Sequence, residues 1–115
     1  MRLDNRVKRV TFVDPRVERA LIALESGPFE DKLLGENIRQ AIQKLKENPQ
    51  AGICIPSRLW PREYVVKYQL NNLWKLDLRD GWRLIYFLKG NEVEIVSLLI
   101  EWKDHTNYNR TFHYH

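Results

Sequence analysis

The sequence predicts an α+β domain: a short N-terminal strand, two helices, then a three-strand antiparallel meander, with the helices packed on one face of the sheet. Three observations carry this expectation. Trp74, Leu76 and Leu78 alternate with Lys75, Asp77 and Arg79, the period-two pattern of a half-buried strand, and two further strand-like runs follow across short turns. Between Pro15 and Asn48 apolar residues recur at helical spacing in two blocks separated by Gly27-Pro28. A length of 115 residues supports one hydrophobic core and leaves little room for a second, so residues 1–115 form a single domain.

In chain order, Val7–Phe12 is the first strand, with Val10 and Phe12 facing inward. Asp14 caps the first helix and Pro15 occupies its first position, where a missing N–H costs nothing. Val17, Ala20, Leu21 and Leu24 form its apolar stripe. The second helix runs from about Asp31 to Asn48 with Leu34, Ile38, Ala41, Ile42 and Leu45 as its stripe, and Pro49 stops it. Gln50–Gln69 is a longer connection broken by Pro56 and Pro61, with Val65-Val66 as its most strand-like pair. The meander follows, with strands near Leu73–Leu78, Trp82–Leu88 and Glu92–Ile100, the second turn at Lys89-Gly90-Asn91, and a short tail from Glu101 to His115.

The first hairpin sets the register of the meander. Arg79-Asp80-Gly81 fits a three-residue loop with Gly81 at a left-handed position. That loop length puts Leu78 opposite Trp82, Leu76 opposite Leu84 and Trp74 opposite Tyr86, giving one apolar face with Trp74, Leu84 and Tyr86 in the core. The other face then gathers Lys75, Asp77 and Arg83. A two-residue turn would mix the charged and apolar sets.

The net charge of +4 favours an anionic partner, nucleic acid or an acidic protein. The single cysteine, Cys54, excludes an internal disulfide and a multi-thiolate metal site, and its apolar neighbours in Gly-Ile-Cys-Ile-Pro suit a small buried hydrophobe. No apolar run approaches membrane-spanning length and Met1–Arg9 lacks an apolar signal region, so the expectation is a cytoplasmic protein with no membrane association. His105, His113 and His115 invite a metal reading, but no carboxylate or cysteine stands at typical spacing, and neither metal nor cofactor is expected.

Several side chains suit RNA chemistry. Arg83 is a permanent cation able to grip a phosphate through two hydrogen bonds, or it pairs across the hairpin with Asp77. His105 is the best acid or base candidate in the tail, since imidazole is the side chain suited to proton transfer at physiological pH, unless it is a plain surface histidine there. Arg58, Arg62 and Lys67, interleaved with Trp60, Tyr64 and Tyr68, form either a backbone-binding surface or a solvated loop whose aromatics fold onto the core. Trp102 stacks on a base or closes the core at the strand end.

The order of elements resembles the RelE/ParE superfamily of toxins from toxin–antitoxin modules. The residues that carry the likeness are Asn72-Leu73-Trp74-Lys75-Leu76-Asp77-Leu78, then Gly81-Trp82-Arg83-Leu84-Ile85-Tyr86, and His105-x-x-Tyr108-Asn109-Arg110-x-Phe112, the last being similar to archaeal members. The resemblance implies the toxin of a type II module, an endoribonuclease that cleaves mRNA on the ribosome without a metal. It also implies a cognate antitoxin that covers the basic surface. Other members of the superfamily inhibit DNA gyrase, so the alternatives are a gyrase inhibitor and an inactive binding protein on the same fold. By resemblance, Arg83 contacts the scissile phosphate, Lys75 matches the first of two strand lysines, and Tyr108 stacks on a base or assists proton transfer. His105 matches a histidine that some relatives use near the C-terminus. Asp77 stands where the second strand lysine would be, a departure from the pattern. Lys103, Lys67, Arg79, Arg58 and Arg62 complete the set expected to hold RNA.

Overall fold

Residues 4–112 are described by a computed structural model. The chain folds as strand β1 (Val7–Phe12), helices α1 (Pro15–Glu25) and α2 (Phe29–Glu47), strand β2 (Ile53–Cys54), helix α3 (Arg62–Tyr68), strands β3 (Trp74–Asp77), β4 (Arg83–Gly90) and β5 (Glu94–Lys103), and helix α4 (His105–Phe112). The five strands form one mixed sheet in the order β1-β5-β4-β3-β2. β1 runs parallel to β5 and the remaining pairs are antiparallel. The α+β class and the meander hold. Helices α3 and α4 and the edge strand β2 are additions to the sequence expectation.

Helix α1 begins as the sequence dictates. The Asp14 carboxylate accepts the Arg16 backbone N–H at 2.7 Å, and that hydrogen bond holds the carboxyl below its ordinary range. α1 and α2 are clasped by Arg39, which donates to both oxygens of Glu25 at 2.9 and 3.0 Å. Their inner residues Leu21, Leu34, Ile38, Ala41, Ile42 and Leu45 bury against Leu76, Leu84, Tyr86 and Leu99 of the sheet. α2 begins two residues earlier than expected, at Phe29, and ends at Glu47, before Pro49.

The expectation of helices on one face only is corrected. α3 and α4 cover part of the opposite face, where Ile85, Phe87 and Ile100 pack with Leu73, Tyr108 and Phe112. The stretch expected as an irregular connection builds much of this second layer. Pro61 fixes an extended backbone just ahead of α3, and Val65-Val66 lies within the helix instead of forming a strand. Its β-branched pair is exposed, while Tyr64 and Tyr68 point the packing inward: Tyr68 stacks on Phe87 at 5.7 Å and Tyr64 meets Phe112 edge-on at 6.3 Å. Cys54 is likewise not a core residue. It lies exposed on the edge strand β2.

Polar side chains tie the connections to the sheet at two places. Tyr86 is fully buried, donates its hydroxyl hydrogen to the Pro49 carbonyl at 2.9 Å and accepts the Gly52 N–H at 3.1 Å. Gly52 is required there because a Cβ would collide with the Lys75 carbonyl oxygen and lie 2.7 Å from the Tyr86 hydroxyl. The Asn72 side chain extends the β3–β4 ladder, accepting from Leu88 N and donating to Leu88 O, both at 2.8 Å.

Burial pushes the Tyr86 hydroxyl up to about 12. The folded chain therefore holds that proton more tightly than the unfolded chain, and the associated stability is complete below the unfolded value near pH 10 and lost as pH rises through 12. Tyr86→Phe leaves the Gly52 N–H and Pro49 C=O unpaired and is expected to cost about 1–3 kcal/mol in urea unfolding at pH 7. Between pH 10 and 12 the gap between wild type and this variant should narrow; a constant gap would show that the phenol does not titrate in this way.

Candidate nucleic-acid interface

The observed hairpin register matches the expected one: Trp74 pairs with Tyr86, Leu76 with Leu84 and Asp77 with Arg83, and Leu78 N–H reaches Trp82 O at 2.8 Å. Two consecutive left-handed residues make the turn, Asp80 at φ 58° and Gly81 at φ 78°. Asp80 tolerates this conformation better than most side chains, and glycine adopts it freely. The charged group that the register implies is therefore real. The Lys75 Nζ stands 2.9 Å from Asp77 Oδ1, and Arg83 Nε 3.6 Å from the same oxygen.

A third strand adds to it through an irregularity. Ile85 pairs with Glu101 but Tyr86 pairs with Leu99, so Ile100 is an extra residue, a β-bulge in β5. The bulge reverses the alternation beyond it. Trp102 joins the α1–α2 core opposite Leu84, while Lys103 falls opposite Arg83 on the charged face. Lys103 is itself paired to Glu101 Oε1 at 3.2 Å. Three cations thus stand against two carboxylates, leaving a net positive patch.

Helix α4 closes the site from above. Asp104 caps it, accepting from Asn107 N at 2.8 Å, and turns the chain back across the sheet. Tyr108 is buried beneath the cations: the Arg83 guanidinium lies 5.2 Å and the Lys75 ammonium 5.6 Å from its ring centroid. Arg83 also donates to the Gly81 carbonyl. Lys75, Arg83, Tyr108 and Asn109 line an open cavity of about 210 Å³. His105 opens α4 and stands exposed at the hairpin. A Cβ on Gly81 would lie 3.3 Å from the His105 Cβ and 3.9 Å from Arg83 Nη1, so both side chains border the hairpin turn at Gly81. The His105 Nε2 lies 3.2 Å from Asn109 Nδ2.

Of the expected site residues, Lys75, Arg83, Lys103, His105 and Tyr108 thus come together, along with Asp77. The burial of Tyr108 makes its ring a platform for the two cations. Arg79 is exposed and lies toward α2, beside Asn37 and Gln40. Arg58 and Arg62 are exposed near the start of α3, and Lys67 borders a separate cleft. Sequence reasoning missed Glu101 and Asn109. The three consecutive apolar residues Leu98-Leu99-Ile100 ahead of Glu101-Trp102-Lys103 were the signal for the bulge, and Asn109 stands one helical turn after His105. His113 and His115 lie outside the described residues. Among the described residues, no group of three or more histidine, cysteine, aspartate or glutamate side chains gathers where a metal could sit, and no helix is long and apolar enough to cross a membrane.

Asp77 holds both Lys75 and Arg83, so it competes with any anion that approaches them. Asp77→Asn is expected to elute from heparin at higher salt than wild type and to steepen the salt dependence of polyanion binding by about one charge, with Lys75→Ala shifting both the other way. Equal elution of all three would place polyanion binding elsewhere on the molecule. Comparison with protein-family models, curated proteins and solved structures gave no match.

Proposed function

We propose that this chain is the toxin of a type II toxin–antitoxin module with a RelE-like arrangement, a cytoplasmic, metal-independent endoribonuclease that cleaves mRNA on the ribosome. The observation that carries this reading is Arg83, held by Asp77 and the Gly81 carbonyl above the Tyr108 ring, flanked by Lys75 and Lys103, and open to a small cavity. The N-terminal strand, paired helices and meander also support the RelE-like reading.

In this reading a ribose 2′-oxygen attacks the adjacent phosphorus as its proton passes to Asp77, whose side chain is half exposed. The P–O5′ bond breaks, leaving a 2′,3′-cyclic phosphate, and His105 protonates the departing 5′-oxygen. Arg83 and Lys75 hold the charge that builds on the phosphoryl oxygens, already oriented before substrate arrives. Lys103, Lys67, Arg79, Arg58 and Arg62 then serve the RNA backbone at increasing remove. An antitoxin with an acidic surface would compete for the same cations.

A second reading, a binding-only or gyrase-directed relative, is favoured by Asp77 itself, since a phosphate must displace its hold on Lys75 and Arg83. Primer extension on mRNA during active translation separates the two. Discrete new 5′ ends are expected with wild type, reduced about 10²–10³-fold by Arg83→Ala and about 10²-fold or more by His105→Ala, with both variants folded. Intact transcripts with a folded wild-type protein would overturn the nuclease, and DNA damage alongside them would identify the gyrase reading.

A further inference from the structure

β1 leaves the sheet at Phe12, opposite Leu99, while β5 continues to Lys103. The chain turns there into α1, and residues of α3 border the same opening. The gap between these elements is a cleft of about 450 Å³, a volume suited to a small organic ligand. Val17 and Ala20, which the helical spacing of α1 assigns to the core, instead line this cleft. Tyr64, Tyr68 and Trp102 give it aromatic walls, and Arg16 and Lys67 give it cations.

The charges in the cleft are unevenly committed. Asp14 is occupied as the cap of α1 and by Arg16 at 3.5 Å, and Glu101 by Lys103. Lys67 has no carboxylate within 4.0 Å among the described residues, although its charge acts on Asp14 at longer range; its ammonium lies 5.4 Å from the Tyr68 ring centroid. A cation beside aromatic faces recognises a nucleotide, the ammonium taking the phosphate and a ring taking the base. Glu101 lines the cleft and pairs with Lys103, which falls opposite Arg83 on the neighbouring strand. β5 alone therefore lies between the cleft and the strand that carries Arg83.

We infer that the cleft between α1 and α3 binds the nucleotide next to the scissile one, so that a single RNA strand runs from Arg83 over the Glu101–Lys103 pair to Lys67. This rests on the ribonuclease reading for the position of the scissile phosphate. Lys67 contacts the flanking phosphate, and Tyr68 or Trp102 stacks on its base.

The test is a ¹⁵N NMR titration of the full chain with a 2′-O-methyl RNA trinucleotide, which cannot be cleaved, and with uridine monophosphate. The trinucleotide is expected to shift amides of Val17, Ala20 and Tyr64 as well as those of Arg83 and Tyr108. Lys67→Ala, a change at an exposed side chain, should remove the cleft shifts, keep the Arg83 shifts, weaken the trinucleotide about fivefold or more and lower the salt slope by about one. Shifts confined to Arg83 and Tyr108, or an unchanged affinity in Lys67→Ala, would overturn the cleft assignment while leaving the nuclease intact. Uridine monophosphate binding the cleft as tightly as the trinucleotide would also overturn it, in favour of a free-nucleotide site. Cleft shifts without mRNA cleavage by the same protein would overturn the nuclease reading and the scissile-neighbour assignment with it, leaving the cleft as an RNA-binding site only.

Discussion

Both faces of this sheet depend on the phase of the β3–β4 hairpin. A turn with one residue fewer would send Trp74, Leu76 and Leu84 to opposite sides, and neither the α1–α2 core nor the cationic patch would exist. The phase is held from both ends. Asp80 and Gly81 accept left-handed backbone at the turn, and the Asn72 side chain fixes the far end of the pair against Leu88. β5 then needs its own correction, since β1 and the core set its alternation up to Leu99 while the site needs Lys103 beside Arg83. The bulge at Ile100 reconciles the two demands with a single extra residue.

The site is cationic but restrained. Each of its positive groups answers to a carboxylate or a carbonyl in its own strand pair or turn, which keeps Arg83 and Lys75 fixed above Tyr108 instead of sweeping through solvent. Such fixing lowers the ordering cost of binding an anion while raising the desolvation and competition cost, because the internal partner must be outbid. Asp77 is therefore the side chain on which the balance between resting stability and ligand affinity turns.

What was legible in the sequence was whatever depended on near neighbours. The Asp14-Pro15 start of α1, the stripe of α2, the hairpin register and the Lys75–Asp77–Arg83 grouping all follow from local spacing or a short loop. What was not legible depended on partners distant in the chain. α3 was hidden because Pro56, Pro61 and the β-branched Val65-Val66 argue against helix locally, whereas Tyr64 and Tyr68 packing on Phe87 and Phe112 favours it. Cys54 looked buried from its apolar neighbours, but a two-residue edge strand exposes it. Tyr108 was expected, by resemblance, to stack on a base or assist proton transfer; its burial under two cations is visible only once α4 is seen to fold back over the sheet.

The parallel pairing of β1 with β5 joins the first strand to the last. Loop-closure entropy must be met across almost the whole chain before that pairing gives any return. During synthesis, α1 and α2 therefore emerge with their apolar stripes facing a sheet that does not yet exist. The cationic site assembles only when β5 and α4 have left the ribosome, so a truncated nascent chain carries neither the completed edge nor the completed patch.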